Sequence, residues 1–405
     1  MREIKDIKVG LITCGNGVGD TTISIKALYI AKTLYGAKCV LFGEKIAHTL
    51  CTGFDFINEV VVLPYNRQGF ILNQYQAQVL AQNKGLTVAK LCAKKPKILS
   101  KPPHKNDFKI DKKANKIATQ NLINTFDSYH LDYLIVSSPR SINIALAKAT
   151  NAKKILCATK LTSFFSLKCK TLPIYAKKET YKKVSFEEIL CLFVRMINPK
   201  IYDESISSLD FAPTAFATTQ AHKSSIAEFL HKQKLGKHLI LLNPFSVSGL
   251  YSLSKNAFLD IAERIEAKFS DCTCIIATYP KVHSEFMHFY DEYQKKLKNL
   301  LIFPNDDDIF NLIELCKRVS CVITPSTGVA HIAANVGTPT VALCGKQDMN
   351  RWILGGGGGV AHSYTKARYV LLEQNLSYLI AHPSEEAHYI DKVVESLKEV
   401  LQSES

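Results

Sequence analysis

Thr324-Pro-Ser-Thr-Gly-Val-Ala-His331, continuing through Ile332-Ala-Ala-Asn-Val-Gly337-Thr-Pro-Thr-Val-Ala-Leu-Cys-Gly345, is the stretch whose pattern decides the fold. The apolar run Cys321 to Ile323 leads into a turn of Pro, Ser, Thr and Gly, and a helix-like segment follows. Gly337-Thr338-Pro339 breaks that segment before a second apolar run ending at Gly345. This is the signature of strand, tight turn, helix, strand. It predicts free backbone N–H groups and small hydroxyls at a helix N-terminus, where a phosphate is favoured. Ser326, Thr327, Gly328, Val329, Ala330 and His331 are therefore the candidate cradle for a diphosphate.

The same alternation extends outward in both directions. Upstream of the turn, His238 to Asn243, Cys274 to Ala277 and Leu300 to Phe303 read as strands separated by helical patterns, and Thr340 to Leu343 follows it as another. A first series precedes these: strand Ile7 to Cys14, glycine-rich turn Gly15 to Asp20, helix Thr21 to Tyr35 and strand Lys38 to Glu44. Val60 to Leu63, Leu134 to Val136 and Ile155 to Cys157 complete it. The pattern loosens between Asn198 and Pro213, which sets the expected boundary between domains 1–200 and 201–405. Tyr389 to Leu401 has the spacing of a terminal amphipathic helix. The expected class is α/β, with two Rossmann-like doubly wound sheets facing across a cleft and ligands at the C-terminal ends of their strands.

Bulk properties restrict the function classes. A chain of 405 residues suits two domains. No apolar stretch approaches the roughly 18 residues a membrane span needs, and the first residues offer no signal-peptide pattern, so a cytoplasmic protein is expected. Twelve cysteines lie scattered in apolar runs without a CxxC pair, which favours buried free thiols over bridges or zinc. A net charge of +15 calls for an anionic partner. Much of the excess lies in a basic insert from Lys84 to Lys116 and in Lys160 to Lys183. Phe108 is the only aromatic of the insert, so stacked nucleic-acid bases are poorly served, and a membrane surface or phosphorylated glycolipid suits it better. A solvated loop is the competing explanation.

At the first turn, Gly15-x-Gly17-x-x-Asp20 nearly spells a dinucleotide fingerprint, with a carboxylate replacing its third glycine. Asp20 would repel a pyrophosphate there, although Glu44 at the end of the second strand keeps an NAD(P)-dependent oxidoreductase in view. A carboxylate on a glycine-rich turn also suits a general base, held ionised by the helix dipole. Capping of the helix by Asp20 is the plainer alternative.

Together, the Gly-x-Gly-Asp turn and the Thr324 to His331 turn resemble glycosyltransferase family 9, the ADP-heptose:lipopolysaccharide heptosyltransferases. Phe56 to Leu63, Asp132 to Ser141, Leu242 to Phe245 and Asn350 to Trp352 are compatible with it. The resemblance implies a GT-B fold and an inverting transfer without metal or cofactor, from a nucleotide-diphosphate sugar to an anionic glycolipid, the lipopolysaccharide core. By the same resemblance Asp20 is the catalytic base, and Gly17, Gly19 and Arg140 lie on the acceptor side. Family members usually carry Asp where this chain has Ser326, and Tyr251 stands at the family's lysine position with Lys255 one helical turn away. Glu285 falls near an acidic position that contacts the nucleoside. A non-catalytic binder of anionic glycans is a further alternative.

Other features call for less. Asp306-Asp-Asp308 contains a DxD signature but directly precedes an amphipathic pattern, which points to N-capping rather than metal binding. The Gly355 to Gly359 run after Trp352 suits a loop.

Overall fold

Twelve strands alternate with helices in a computed structural model that describes residues 7–13, 15, 17–63, 112–138, 140–174, 184–245, 250–349, 352 and 367–403. Strands β1 (Lys8–Ile12), β2 (Lys38–Gly43), β3 (Glu59–Val62), β4 (Tyr133–Val136), β5 (Lys154–Ala158) and β6 (Cys169–Leu172) form one parallel sheet, in the order β3-β2-β1-β4-β5-β6. β7 (His238–Leu242), β8 (Cys272–Thr278), β9 (Leu300–Pro304), β10 (Cys321–Pro325), β11 (Thr340–Gly345) and β12 (Ala367–Leu372) form a second, in the order β12-β11-β10-β7-β8-β9. Counted from its own first strand, each sheet has the order 3-2-1-4-5-6 of a doubly wound dinucleotide-binding fold. The α/β expectation of two such sheets holds.

Contacts divide the chain into two compact units, Met1–Lys178 with Leu192–Ser205, and Glu179–Cys191 with Ile206–Ser405. Tyr35 anchors the returning segment of the first by donating to Val194 and Asn198 carbonyls at 3.3 and 3.2 Å. Where the chain enters the second, Asn335 accepts from Phe216 N–H and donates to Thr214 O, both at 2.8 Å.

Burial explains why apolar runs became strands. Val9, Leu11, Ile12, Ile323, Val341 and Leu343 are fully buried, as central strands covered on both faces must be. In the second unit the terminal helix Pro383–Gln402 buries Ile390, Val393, Val394, Leu397 and Val400, each worth about 1.5–3 kcal/mol on full burial. It packs beside helix Lys255–Lys268, with Lys268 paired to Glu395 at 3.1 Å.

The helix after the first turn runs from Val18 to Tyr35, so it starts one turn earlier than expected and takes Gly19 and Asp20 into itself. Two strands, β6 and β12, were not anticipated. Among the described residues ten cysteines are free thiols; burial pushes those of Cys39, Cys51 and Cys316 up to about 12. No described helix is long and apolar enough to cross a membrane. Most of the Lys84 to Lys116 insert, Lys177 to Lys183 and the Gly355 to Gly359 run lie outside the described residues.

Candidate functional site

In each sheet the strand order reverses between the first and fourth strands, and the loops leaving those two strands diverge there. In the first unit the pair is β1 and β4. Their ends are tied by the Ser137 hydroxyl, which donates to Ile12 O. Beyond β1, Thr13 Oγ1 donates to Gly15 O at 2.9 Å, and Gly17 is the N-cap of the helix that begins at Val18. Arg140, beyond β4, is the exposed N-cap of helix Ser141–Ala149, its carbonyl accepting from Asn143 N–H at 3.0 Å. Asp20 and Arg140 thus flank one switch point, as the first unit's candidate residues.

Asp20 is half-buried and its Oδ2 accepts the N–H of Gly17 at 3.0 Å, so the capping role is real. That N–H is the group a dinucleotide phosphate would take, and the carboxylate occupies it. Burial outweighs the Gly17 hydrogen bond and raises the carboxyl above its ordinary value of 3.8. That direction favours a stronger base. The glycines make room for the carboxylate: a Cβ on Gly15 would stand 2.7 Å from Asp20 Oδ2, and one on Gly17 3.1 Å. Because the obstructed atom is the far end of a movable side chain, Gly15→Ala should cost little in thermal stability. If Asp20 is the base, it should still slow transfer by up to roughly 10²-fold, the penalty for misplacing a reacting group by about 1 Å. Unchanged turnover in Gly15→Ala would separate the carboxylate's position from the rate.

In the second unit the switch point lies between β7 and β10. Helix Gly328–Asn335 starts here with Thr327 as N-cap and stops before Gly337, whose φ of 81° suits glycine. Its first intrahelical bond runs from His331 N–H to Thr327 O at 3.4 Å, so the N–H groups of Gly328, Val329 and Ala330 lie ahead of the ladder. Ser326, Thr327, Gly328 and Val329 are half-exposed, whereas Ala330 and His331 are buried.

Asn243, not singled out from the sequence, braces this turn. Nearly buried just beyond β7, it donates through Nδ2 to Thr324 Oγ1 at 2.9 Å and lies 3.5 Å from Thr327 Oγ1. Its own N–H donates to Ile323 O at 2.9 Å, locking the ends of β7 and β10 together. The available signal was a lone amide followed by Pro244 at the end of an apolar run.

His331 contributes no positive charge at neutral pH. Its ring is buried 5.7 Å from that of Trp352, which in turn meets Phe186 at 5.0 Å, and burial pushes its pKa down to about 4. An anion at this turn would be met by backbone N–H groups and the helix dipole.

Lys255 and Glu285 come together rather than standing apart: Lys255 Nζ donates to Glu285 Oε1 at 2.5 Å and lies 5.2 Å from the Phe289 ring centre. Lys255 opens its helix after β7, and Glu285 is in the second turn of helix Pro280–Tyr293 after β8, so both sit toward the C-terminal side of neighbouring strands. Buried Glu386 fixes the start of the Lys255 helix, accepting from Ser254 N–H at 2.6 Å and Ser254 Oγ at 2.9 Å. Tyr251 lays its ring on Gly345 at the end of β11, where a Cβ would come within 2.4 Å of it. Asp308 caps helix Ile309–Arg318, its Oδ1 accepting from Phe310 N–H at 2.8 Å, and its Oδ2 lies 3.1 Å from His222 Nε2. The expected capping by the DxD segment is thus observed.

Two doubly wound parallel sheets, each with candidate residues at its own switch point, define a GT-B fold, and solved structures agree. A family 9 glycosyl transferase from Veillonella parvula superposes with a TM-score of 0.64 at 13% identity, covering 99% of each chain. E. coli ADP-heptose lps heptosyltransferase II gives 0.57 at 12% identity, over 98% of this chain and 100% of that one. E. coli heptosyltransferase WaaC with ADP gives 0.55 at 12% identity, over 94% and 99%. No curated protein sequence matches the chain. Residues 307–374, which contain the Thr324 to His331 turn, match the model of glycosyltransferase family 9 (heptosyltransferase). The resemblance to this family is borne out, the match covering the second of the two turns, and family model and fold together support a glycosyltransferase.

Proposed function

We propose that the protein is an inverting, metal-independent glycosyltransferase that moves a sugar, heptose from ADP-heptose in the first instance, onto a lipopolysaccharide core acceptor at the inner face of the cytoplasmic membrane. The supporting observation is the complementary chemistry of the two switch points, a glycine-cradled carboxylate in one unit and a braced helix N-terminus in the other. Asp20 takes the proton of an acceptor hydroxyl, whose oxygen attacks the anomeric carbon from the face opposite the leaving group. As the bond from that carbon to the diphosphate breaks, charge growing on the phosphate is met by the N–H groups of Gly328, Val329 and Ala330. Lys255, paired with Glu285, is the side chain that would bring positive charge to the donor on this side of the sheet. The ADP carried by one E. coli neighbour supports an adenine nucleotide. Ser326, where family members usually have Asp, leaves the sugar as the feature most in need of a direct assay.

The test is a panel of nucleotide sugars with the purified protein, preceded by thermal stabilisation with ADP, GDP, UDP and NAD. ADP at about 100 times its dissociation constant should stabilise by about 2.7 kcal/mol, and transfer should survive excess EDTA. Stabilisation by NAD alone, or activity lost to chelation and restored by Mg²⁺ or Mn²⁺, would overturn the proposal.

A further inference from the structure

The crossover from β5 to β6 is short, and a single turn of helix, Leu161–Phe164, stands where a full covering helix would ordinarily lie. Its large apolar side chains face outward: Leu161 is 81% exposed, Phe164 65%, Phe165 80% and Leu167 96%. Four such residues within seven positions form a contiguous apolar ridge, not the isolated exposure common on protein surfaces. The two phenyl rings meet edge to face at 5.1 Å.

The backbone beneath the ridge is held by lysines. Lys148 Nζ donates to Thr162 O at 3.0 Å and Lys154 Nζ to Leu167 O at 3.0 Å, while Lys168, next in the chain, ties the segment to the end of the preceding helix through the Lys148 and Thr150 carbonyls. Buried Ser163 accepts the N–H of Lys160 at 2.8 Å, fixing the start of the turn. An ammonium group has three donors, so the single carbonyl bond made by Lys148 and by Lys154 leaves capacity for an external anion. Negative charge is sparse along this part of the chain: no Asp or Glu occurs between Asp132 and Glu179. Asp132 is engaged by Lys153 at 2.7 Å, and Asp127, which acts on Lys168, accepts the N–H of Asn151. An apolar ridge on a base of lysines complements an anionic bilayer surface, where rings and aliphatic chains enter the headgroup boundary and ammonium groups meet phosphate.

We infer that Leu161, Phe164, Phe165 and Leu167 insert into the interface of an anionic membrane, with the surrounding lysines on its phosphates. The inference deepens the proposed function, since it supplies the surface from which a lipid-borne acceptor would be presented. The ridge begins at the C-terminal end of β5, two strands from the end of β1 that leads to Asp20, a lateral step of about 10 Å at ordinary strand spacing.

Sedimentation with vesicles of phosphatidylethanolamine and phosphatidylglycerol, against phosphatidylcholine alone, tests it. Wild-type protein should bind the anionic vesicles preferentially, and less well in high salt. Phe164→Ser combined with Phe165→Ser and Leu167→Ser should weaken that binding about tenfold or more, without changing the melting temperature or transfer to a water-soluble acceptor sugar. In Phe164→Trp, the new indole emission should shift to the blue on vesicles and be quenched by lipids labelled in the acyl chain. Equal binding by the triple variant, absence of wild-type binding, or a dimer abolished by the same substitutions would overturn insertion. Loss of vesicle binding in the variant, with no transfer by either protein, would sustain insertion and count against the transferase chemistry instead.

Discussion

Asp20→Asn should slow sugar transfer by roughly 10²–10⁴-fold, the range for removing a general base, with donor affinity nearly unchanged. Asparagine is the informative replacement because Asp20 has two separable duties. Its Oδ2 accepts the N–H of Gly17 at the start of helix Val18–Tyr35, and an amide oxygen preserves that acceptor while losing the ability to take a proton. Asp20→Ala removes both functions, and should add about 1 kcal/mol of lost stability from the cap to the same loss of rate. Were the carboxylate only a cap, Asp20→Ala would melt early while Asp20→Asn kept wild-type turnover. The pH profile gives a second check. Burial raises the Asp20 carboxyl above 3.8, so the acid limb of kcat/KM should lie above that of an ordinary aspartate and disappear from the residual activity of Asp20→Asn.

The fold was legible where strands are central. β1, β4, β7 and β10 are near-continuous apolar runs because both faces of each are covered, and such runs stand out against helical spacing. The two missed strands, β6 and β12, are both edge strands. Cys169-Lys-Thr-Leu172 is only half-buried throughout and carries a lysine, so it merged with the basic stretch around it; Ala367 to Leu372 follows a glycine-rich run with no turn pattern to announce it. The helix start was misplaced because Gly17 and Gly19 both read as turn residues, whereas only Gly17 stays outside. Contacts between distant segments were invisible for a different reason. Asn243 reaches Thr324 across 81 positions, Lys255 reaches Glu285 across 30 and Ser254 reaches Glu386 across 132. No local periodicity encodes such pairings; they follow only once strand order has brought the ends of neighbouring strands together.

The stability of the second unit should fall by about 3 kcal/mol between pH 7 and pH 4 on account of His331 alone. The folded chain holds this imidazole buried, with a pKa of about 4 against an ordinary value of 6.5, and each unit of difference corresponds to about 1.4 kcal/mol. With the folded value the lower of the two, the unfolded chain binds its proton first as pH drops. The contribution is therefore intact above 6.5, declines through the window down to about 4, and declines no further below it. Urea denaturation of the wild type and His331→Phe across that window isolates the effect, since carboxylates titrating in the same range are common to both and cancel in the difference. The variant will differ at neutral pH through altered packing on Trp352, so the diagnostic quantity is the change in that difference with pH. A difference that stays constant from pH 7 to pH 4 would mean that the ring is hydrated and free to charge. It would then present a cation to the donor turn under mildly acidic conditions, and diphosphate affinity should rise there instead of resting on the backbone N–H groups of Gly328 to Ala330.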